Sequence, residues 1–307
     1  MIVPTSHDHR ASHEPQSSHD PQPSHGAYAS YASCDGTRLA YRAAGAGDPG
    51  RPLVCLPGGP MRAAEYLGDL GGLTAHRRLV LADARGTGGS EVPADRGTYR
   101  VDRQVADVEA LRVHLGLERM DLLAHSAAGN LALLYAAAHP ERIRRLVLVT
   151  PNAWTVGLGA TPEQRLEAAR ERRGEPWFEE AYPAFERLWA EGAWSDLVVP
   201  FFYGRWDAAA AAHAEREEEQ FNEEAAEVYR DGAAYDPAAV RAALARLGAE
   251  VLVLAGERDG APRPAVAREL ASLFPAGRCE VQPGAAHFPW LDDPEWFAGR
   301  VEAFLAG

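Results

Sequence analysis

Apolar residues along this chain alternate between short continuous runs and helically spaced stripes. The runs occupy residues 53–56, 78–82, 120–124, 146–149 and 251–254. Uninterrupted apolar runs of this length suit strands buried on both faces of a parallel sheet. Residues 28–33 and 38–42 flank the turn Asp35-Gly36-Thr37 and predict two hairpin strands. Cys279-Glu280-Val281 is a further, shorter strand candidate. Between the runs the spacing becomes helical. Residues 101–115 place Val101, Val105, Val108, Leu111 and Leu115 on one stripe, with Gly116 as the stop. Residues 131–138 are apolar nearly all round and end before His139-Pro140, which fits a helix under the middle of a sheet.

The alternation breaks after Thr150-Pro151. Residues 152–240 are rich in Glu, Arg, Ala and Trp and carry helical patterns at 163–173, 177–191 and 207–230. The pattern predicts one α/β core, residues 27–151 and 241–307, interrupted by a helical cap insertion at 152–240. Residues 1–26 hold mostly Ser, His, Pro, Asp and Gln, too little to bury, and predict a disordered tail. Its histidines, His7, His9, His13, His19 and His25, have no cysteine or acidic constellation with them, so no metal site is expected there.

Charge narrows the partners. The net charge of −13 disfavours nucleic acid and anionic membranes, both of which call for a basic surface. All 31 basic residues are arginine, which removes lysine Schiff bases and the phosphate-loop lysine. Cys34, Cys55 and Cys279 form no Cys-x-x-Cys pair, and so sparse a set suits a reducing compartment. No apolar run is long enough to span a bilayer, and residues 1–10 lack the apolar core of a signal peptide. A cytoplasmic protein is the expectation.

The candidate chemistry centres on Asp121-Leu122-Leu123-Ala124-His125-Ser126-Ala127-Ala128-Gly129-Asn130. A serine between a short strand and a helix, among small residues, has the pattern of a nucleophile elbow, commonly G-x-S-x-G. A serine hydroxyl needs a base in reach and a group to orient that base. Asp259 follows a buried strand at the edge where open α/β sheets place their sites. His287, in Gly284-Ala285-Ala286-His287-Phe288-Pro289-Trp290, follows the next strand at the same edge. Each residue alone has a plainer reading: a helix cap for Ser126, a loop cap for Asp259, a half-buried histidine for His287. Together, in the order Ser…Asp…His, they predict a triad. Acyl transfer also needs donors for an oxyanion. The N–H groups of Ala127 and of Gly59, in Pro57-Gly58-Gly59-Pro60, are the candidates, since Pro60 has none. Asp83-Ala84-Arg85-Gly86-Thr87-Gly88-Gly89-Ser90 is a second Gly-rich loop. Without a lysine, and with Asp83 repelling phosphate, it is expected to be structural.

These motifs resemble the α/β-hydrolase superfamily, and within it the proline iminopeptidase-like branch. Pro57-Gly58-Gly59-Pro60 is similar to that branch's His-Gly-Gly-Pro-Gly loop. The segment from Asp83 to Ser90 is similar to its Asp-Gln-Arg-Gly-x-Gly-x-Ser, and residues 284–295 to its histidine loop. The resemblance covers residues 27–307. It implies an eight-stranded, mostly parallel sheet flanked by helices, with an all-helical cap after the sixth strand. It also implies Ser126, Asp259 and His287 as the triad of a serine hydrolase, with no cofactor. The substrate implied is a small molecule or short peptide, cleaved to release an N-terminal proline or small residue. The alternative is a non-peptide ester, lactone or amide, or non-hydrolytic chemistry on the same fold. The chain departs from the branch at Pro57, Met61, Ala124 and Ala128, which stand where the family has histidine and glycines. In the peptidases, acidic cap residues hold the substrate amine. Glu218 and Glu223, from an acidic stretch that reads equally as a solvated face, are the candidates here. Tyr203 and Trp206 are candidates for an apolar pocket wall, or for cap core.

Overall fold

Eight strands, β1 (Tyr28–Ala32), β2 (Arg38–Ala44), β3 (Leu53–Leu56), β4 (Leu79–Ala82), β5 (Met120–His125), β6 (Ile143–Val149), β7 (Glu250–Gly256) and β8 (Gly277–Gln282), form one sheet. Their order is β1-β2-β4-β3-β5-β6-β7-β8. β2 runs antiparallel to β1 and β4, and every other pairing is parallel. The computed structural model describes residues 27–232 and 235–307, so the tail predicted at 1–26 lies outside the described residues. Every predicted strand is present, with ends within three residues of expectation.

The continuous apolar runs divide between two faces with the two-residue period of a strand. Val54, Leu56, Leu122, Ala124, Leu146, Leu148, Val251 and Val253 enter one core cluster. Leu53, Cys55, Leu123, Val147, Val149, Leu252 and Leu254 enter the other. The helices in chain order are α1 (Val105–His114), α2 (Ala128–Ala138), α3 (Pro162–Arg170), α4 (Phe178–Glu191), α5 (Ala208–Glu215), α6 (Glu217–Gln220), α7 (Glu223–Tyr229), α8 (Pro237–Leu244), α9 (Pro264–Ala271), α10 (Pro289–Asp292) and α11 (Pro294–Ala306). Helices α1, α2, α8 and α9 cover the first face, and α11 covers the second.

Three departures from the sequence pattern have local causes. The helix expected over 101–115 starts at Val105. Gln104 turns its side chain back to donate to the Tyr99 carbonyl at 2.6 Å, while Val101 stays buried in the turn. The helical pattern at 207–230 is three helices, α5, α6 and α7. It breaks where Phe221 pairs with Arg62 in an isolated bridge and Asn222 caps α7 through the Ala225 N–H. The extended backbone there is satisfied by Ala63 N–H donating to Gln220 and Asn222 N–H donating to Met61. That exchange ties the cap helices to the segment just after Pro57-Gly58-Gly59-Pro60. The third departure is α8, a helix that the spacing patterns do not mark; Asp236 caps it through the Ala238 N–H, and its Val240 and Leu244 join the core cluster that holds α2. Among the cap helices, α4 packs Phe178, Ala181, Phe185 and Leu188 with Val198 and Phe201 into a separate small core. Among the described residues, no helix is long and apolar enough to cross a membrane.

Candidate active site

Ser126 stands between β5 and α2 with φ at 52°. A non-glycine residue in the left-handed region is strained and persists only when its surroundings hold it. Here three backbone hydrogen bonds do so. The Ser126 N–H donates to Val149 at 3.0 Å, and its carbonyl accepts from Gly129 and Asn152 at 2.9 Å each. The turn does need residues without a Cβ, at positions the G-x-S-x-G comparison does not point to. A Cβ on Gly129 would meet Asn152 O and Pro151 Cβ at 2.7 Å, and one on Gly58 would meet Ser126 Cβ at 2.8 Å. Ala124 and Ala128, 0% and 2% exposed, fit where the common motif has glycine.

The sheet brings the three predicted side chains together. His287, on the loop between β8 and α10, places Nε2 2.8 Å from Ser126 Oγ. Its Nδ1 lies 2.9 Å from Asp259 Oδ2, on the loop after β7. The other Asp259 oxygen accepts the Ala261 N–H at 2.8 Å, and the residue is 2% exposed. With Nδ1 carrying the proton toward the carboxylate, Nε2 is the acceptor for the serine hydroxyl. Asn152 Nδ2 also approaches Ser126 Oγ, at 3.4 Å.

The backbone donors divide in a useful way. Gly58 N–H is committed to Tyr66 Oη at 2.6 Å. The N–H groups of Gly59 and Ala127 have no acceptor among the described residues. The second Gly-rich loop braces this region. Asp83 accepts from Ala64 N–H at 2.8 Å and Gly89 N–H at 2.9 Å, and burial raises its pKa despite both bonds. A loop whose own carboxylate takes a backbone N–H does not cradle phosphate.

One network was not legible in the sequence. Tyr66 Oη donates to His125 Nδ1 at 2.6 Å, and His125 Nε2 donates to the His287 carbonyl at 2.9 Å. Thr150 Oγ1 donates to the same carbonyl at 2.9 Å. Burial, then the proximity of His287, holds His125 well below its usual pKa, so it is neutral, as this chain of donors requires. The network joins the loop of Gly58 to the backbone of His287. Only the place of His125 beside Ser126 hinted at it.

His213, half-buried, is a second relay. It accepts from Tyr203 Oη at 2.8 Å and donates to the Tyr66 carbonyl at 3.1 Å. Burial pushes its pKa down to about 4. The folded state therefore binds fewer protons than the unfolded state between about pH 4 and 6.5, and stability falls as pH drops through that window. His213→Gln is expected to flatten the fall of Tm between pH 7 and pH 4.5. An unchanged slope would contradict a neutral His213 at this position.

The cap candidates lie elsewhere. Glu218 and Glu223 are exposed, and no contact among the described residues links them to Ser126. Two acidic neighbours are already paired, Glu217 with Arg62 and Glu224 with Arg96, at 3.3 Å each. Tyr203 is buried and stacks on Phe288 at 4.9 Å, with Trp206 5.3 Å from it. This is core behind the histidine loop. Phe202 is the cap aromatic beside the site: its carbonyl accepts the His287 N–H at 3.0 Å and its ring lies 6.2 Å from the imidazole. Among the described residues, no group of His, Cys, Asp or Glu is arranged to hold a metal.

A family model described as alpha/beta hydrolase fold matches residues 51–294, from just before β3 to the start of α11. A proline iminopeptidase of Lactobacillus helveticus is 39% identical over 112 residues, which is 35% of this chain and 38% of that enzyme's length. A proline iminopeptidase of Levilactobacillus brevis is 28% identical over 276 residues, 84% of this chain and 89% of its own. Among solved structures, an esterase from Exiguobacterium antarcticum superposes with a TM-score of 0.67 at 18% identity, covering 92% of this chain and 100% of that one. At that identity the likeness is one of fold, and function has to be argued from the site. The chain belongs to the alpha/beta hydrolase fold family and is similar, within it, to the proline iminopeptidases.

Proposed function

We propose that this protein is a serine hydrolase that forms an acyl-enzyme on Ser126 and acts on a small ester or lactone. The observation that carries the chemistry is the unbroken chain Asp259 Oδ2, His287 Nδ1 and Nε2, Ser126 Oγ, at 2.9 and 2.8 Å. Ser126 Oγ attacks the acyl carbon while its proton passes to His287 Nε2. Asp259 keeps the imidazole in the tautomer that can accept this proton and stabilises the cation that results. The tetrahedral oxyanion takes the free N–H groups of Gly59 and Ala127. Collapse returns the proton from His287 to the departing alkoxide. Water then attacks the acyl-enzyme, with His287 again as base, and frees Ser126.

The ester or lactone reading rests on the cap. An aminopeptidase needs a carboxylate for the substrate ammonium, and Glu218 and Glu223 are solvated. Proline iminopeptidase activity is the second reading, favoured by the 39% identity over 112 residues. Three measurements separate these readings. A fluorophosphonate probe is expected to label Ser126, and the label to vanish in Ser126→Ala. Short aryl esters should be turned over. Prolyl-arylamide should not; its cleavage at a rate matching the esters would overturn the ester reading in favour of the peptidase.

The Tyr66–His125 network has its own signature. Tyr66→Phe removes a hydroxyl that accepts from Gly58 and donates to His125, and leaves both partners buried and unpaired. Each loss costs about 1–3 kcal/mol, part of which falls on the geometry of the oxyanion donors. The expected result is a fall in kcat of about tenfold or more with KM nearly unchanged. A lowered Tm with kcat intact would make the network purely structural.

A further inference from the structure

We propose that Arg165 binds a carboxylate on the substrate, so that the site takes an ester or lactone bearing a separate ionised acid group. This rests on the hydrolase reading above and names the substrate class for it. Arg165, Ala168 and Ala169 of α3, with Arg172 on the turn that follows it, fall at the i, i+3, i+4, i+7 spacing and form one stripe. That stripe is turned inward: Ala168, Ala169 and Arg172 are all buried. It packs on the loop that carries Asp259. Ala168 Cβ lies 3.8 Å from where a Cβ on Gly260 would stand, and Glu171, on the turn that ends α3, pairs with Arg263 at 2.8 Å.

The two arginines of the stripe are used differently. Arg172 donates to the carbonyls of Tyr203 at 2.9 Å and Gly204 at 3.2 Å, and pairs with Glu175. Arg165 makes one long bond, Nε to the Ala160 carbonyl at 3.4 Å, and stacks over Trp189 at 4.2 Å. Among the described residues no carboxylate lies within ion-pair distance of it, and its two terminal nitrogens have no acceptor. Those terminal nitrogens still reach solvent, whereas Trp189 Nε1 is shut off from it. A guanidinium held against a ring face with its outer donors free fits an incoming carboxylate, whose oxygens only accept. Burial brings the Arg165 pKa down to about 10, partly opposed by the Asp259 charge, so the group is cationic at neutral pH and within electrostatic range of the triad acid. A chain of net charge −13 repels anions at long range, so a recognised acid requires a local cation such as this one.

The test compares matched ester pairs with and without the acid. On the acyl side these are the mono-4-nitrophenyl esters of adipic, pimelic and suberic acid against 4-nitrophenyl hexanoate, heptanoate and octanoate. On the leaving-group side they are 4-acetoxybenzoate against its methyl ester. At least one pair is expected to favour the anionic member by about tenfold or more in kcat/KM, the scale of a charge-assisted hydrogen bond. In Arg165→Gln that ratio should collapse towards one, and Arg165→Lys should restore part of it. Three outcomes overturn the inference: no anionic preference in any of the pairs, a ratio that survives Arg165→Gln, or loss of both activities in proportion, which marks Arg165 as cap packing. Failure to turn over any ester, with no fluorophosphonate labelling, would instead overturn the hydrolase reading and this inference with it.

Discussion

Ser126→Ala is expected to lower kcat on the best ester by about 10⁶-fold, and Asp259→Asn by about 10⁴-fold. The difference in size follows from the roles proposed for the two residues. Ser126 supplies the atom that becomes acylated, and without it only binding and the oxyanion donors remain. Asp259 forms no bond to substrate; it accepts from His287 Nδ1 at 2.9 Å and fixes which nitrogen is basic. An asparagine there keeps the shape and presents an N–H or a neutral carbonyl in place of the carboxylate. The imidazole then turns its proton toward Ser126, or loses the charge that stabilises its cation. Single-turnover kinetics with an aryl ester, together with probe labelling of each variant, give the measurement. Both variants should keep the wild-type Tm to within a few degrees. An Asp259→Asn enzyme within tenfold of wild type would remove Asp259 from the mechanism and leave a serine–histidine dyad.

Arg85→Met is expected to cost about 3–5 kcal/mol of stability, the scale of breaking a buried ion pair by removing one partner. Arg85 is 1% exposed and sits at the centre of a cluster. Its guanidinium donates to both oxygens of Asp107, at 2.8 and 2.5 Å, to Asp35 at 2.8 Å and to Thr98 at 2.7 Å. Asp107 is 6% exposed and also accepts from Ser33. Without the arginine it is left as a buried charge with little compensation. Arg85→Met with Asp107→Asn should recover part of the loss, because the uncompensated charge goes with its partner. Urea unfolding at pH 7 reads both values, with two-state behaviour checked by two probes. A cost under about 1 kcal/mol for the single variant would mean that water reaches Asp107 and the cluster is not a buried one. The effect on the site is indirect. Arg85 closes the base of the loop whose Asp83 holds Ala64, seven residues past Pro57.

Much of this protein is written locally. The sheet could be read because its strands are buried on both faces, so each is a continuous apolar run, and alternate residues of 53–56, 146–149 and 251–254 do face opposite cores. Ser126, Asp259 and His287 could be read because each follows a strand, and parallel strands end at one edge. Helix continuity was less legible. Residues 207–230 carry helical spacing throughout, yet the chain breaks at Phe221 because residues 61–63 offer it backbone partners. The roles of Tyr66, His125 and Arg165 belong to the tertiary structure alone. Tyr66 meets His125 across 59 positions, and His125 meets His287 across 162. Cap carboxylates plausible as amine ligands turn out solvated, whereas an arginine with nothing in the sequence to mark it lies half-buried against Trp189 without an acid. Periodicity and turn chemistry are properties of neighbouring residues and survive in a string of letters. Hydrogen-bond partnership and burial depend on which distant segments meet, and only the folded chain decides that.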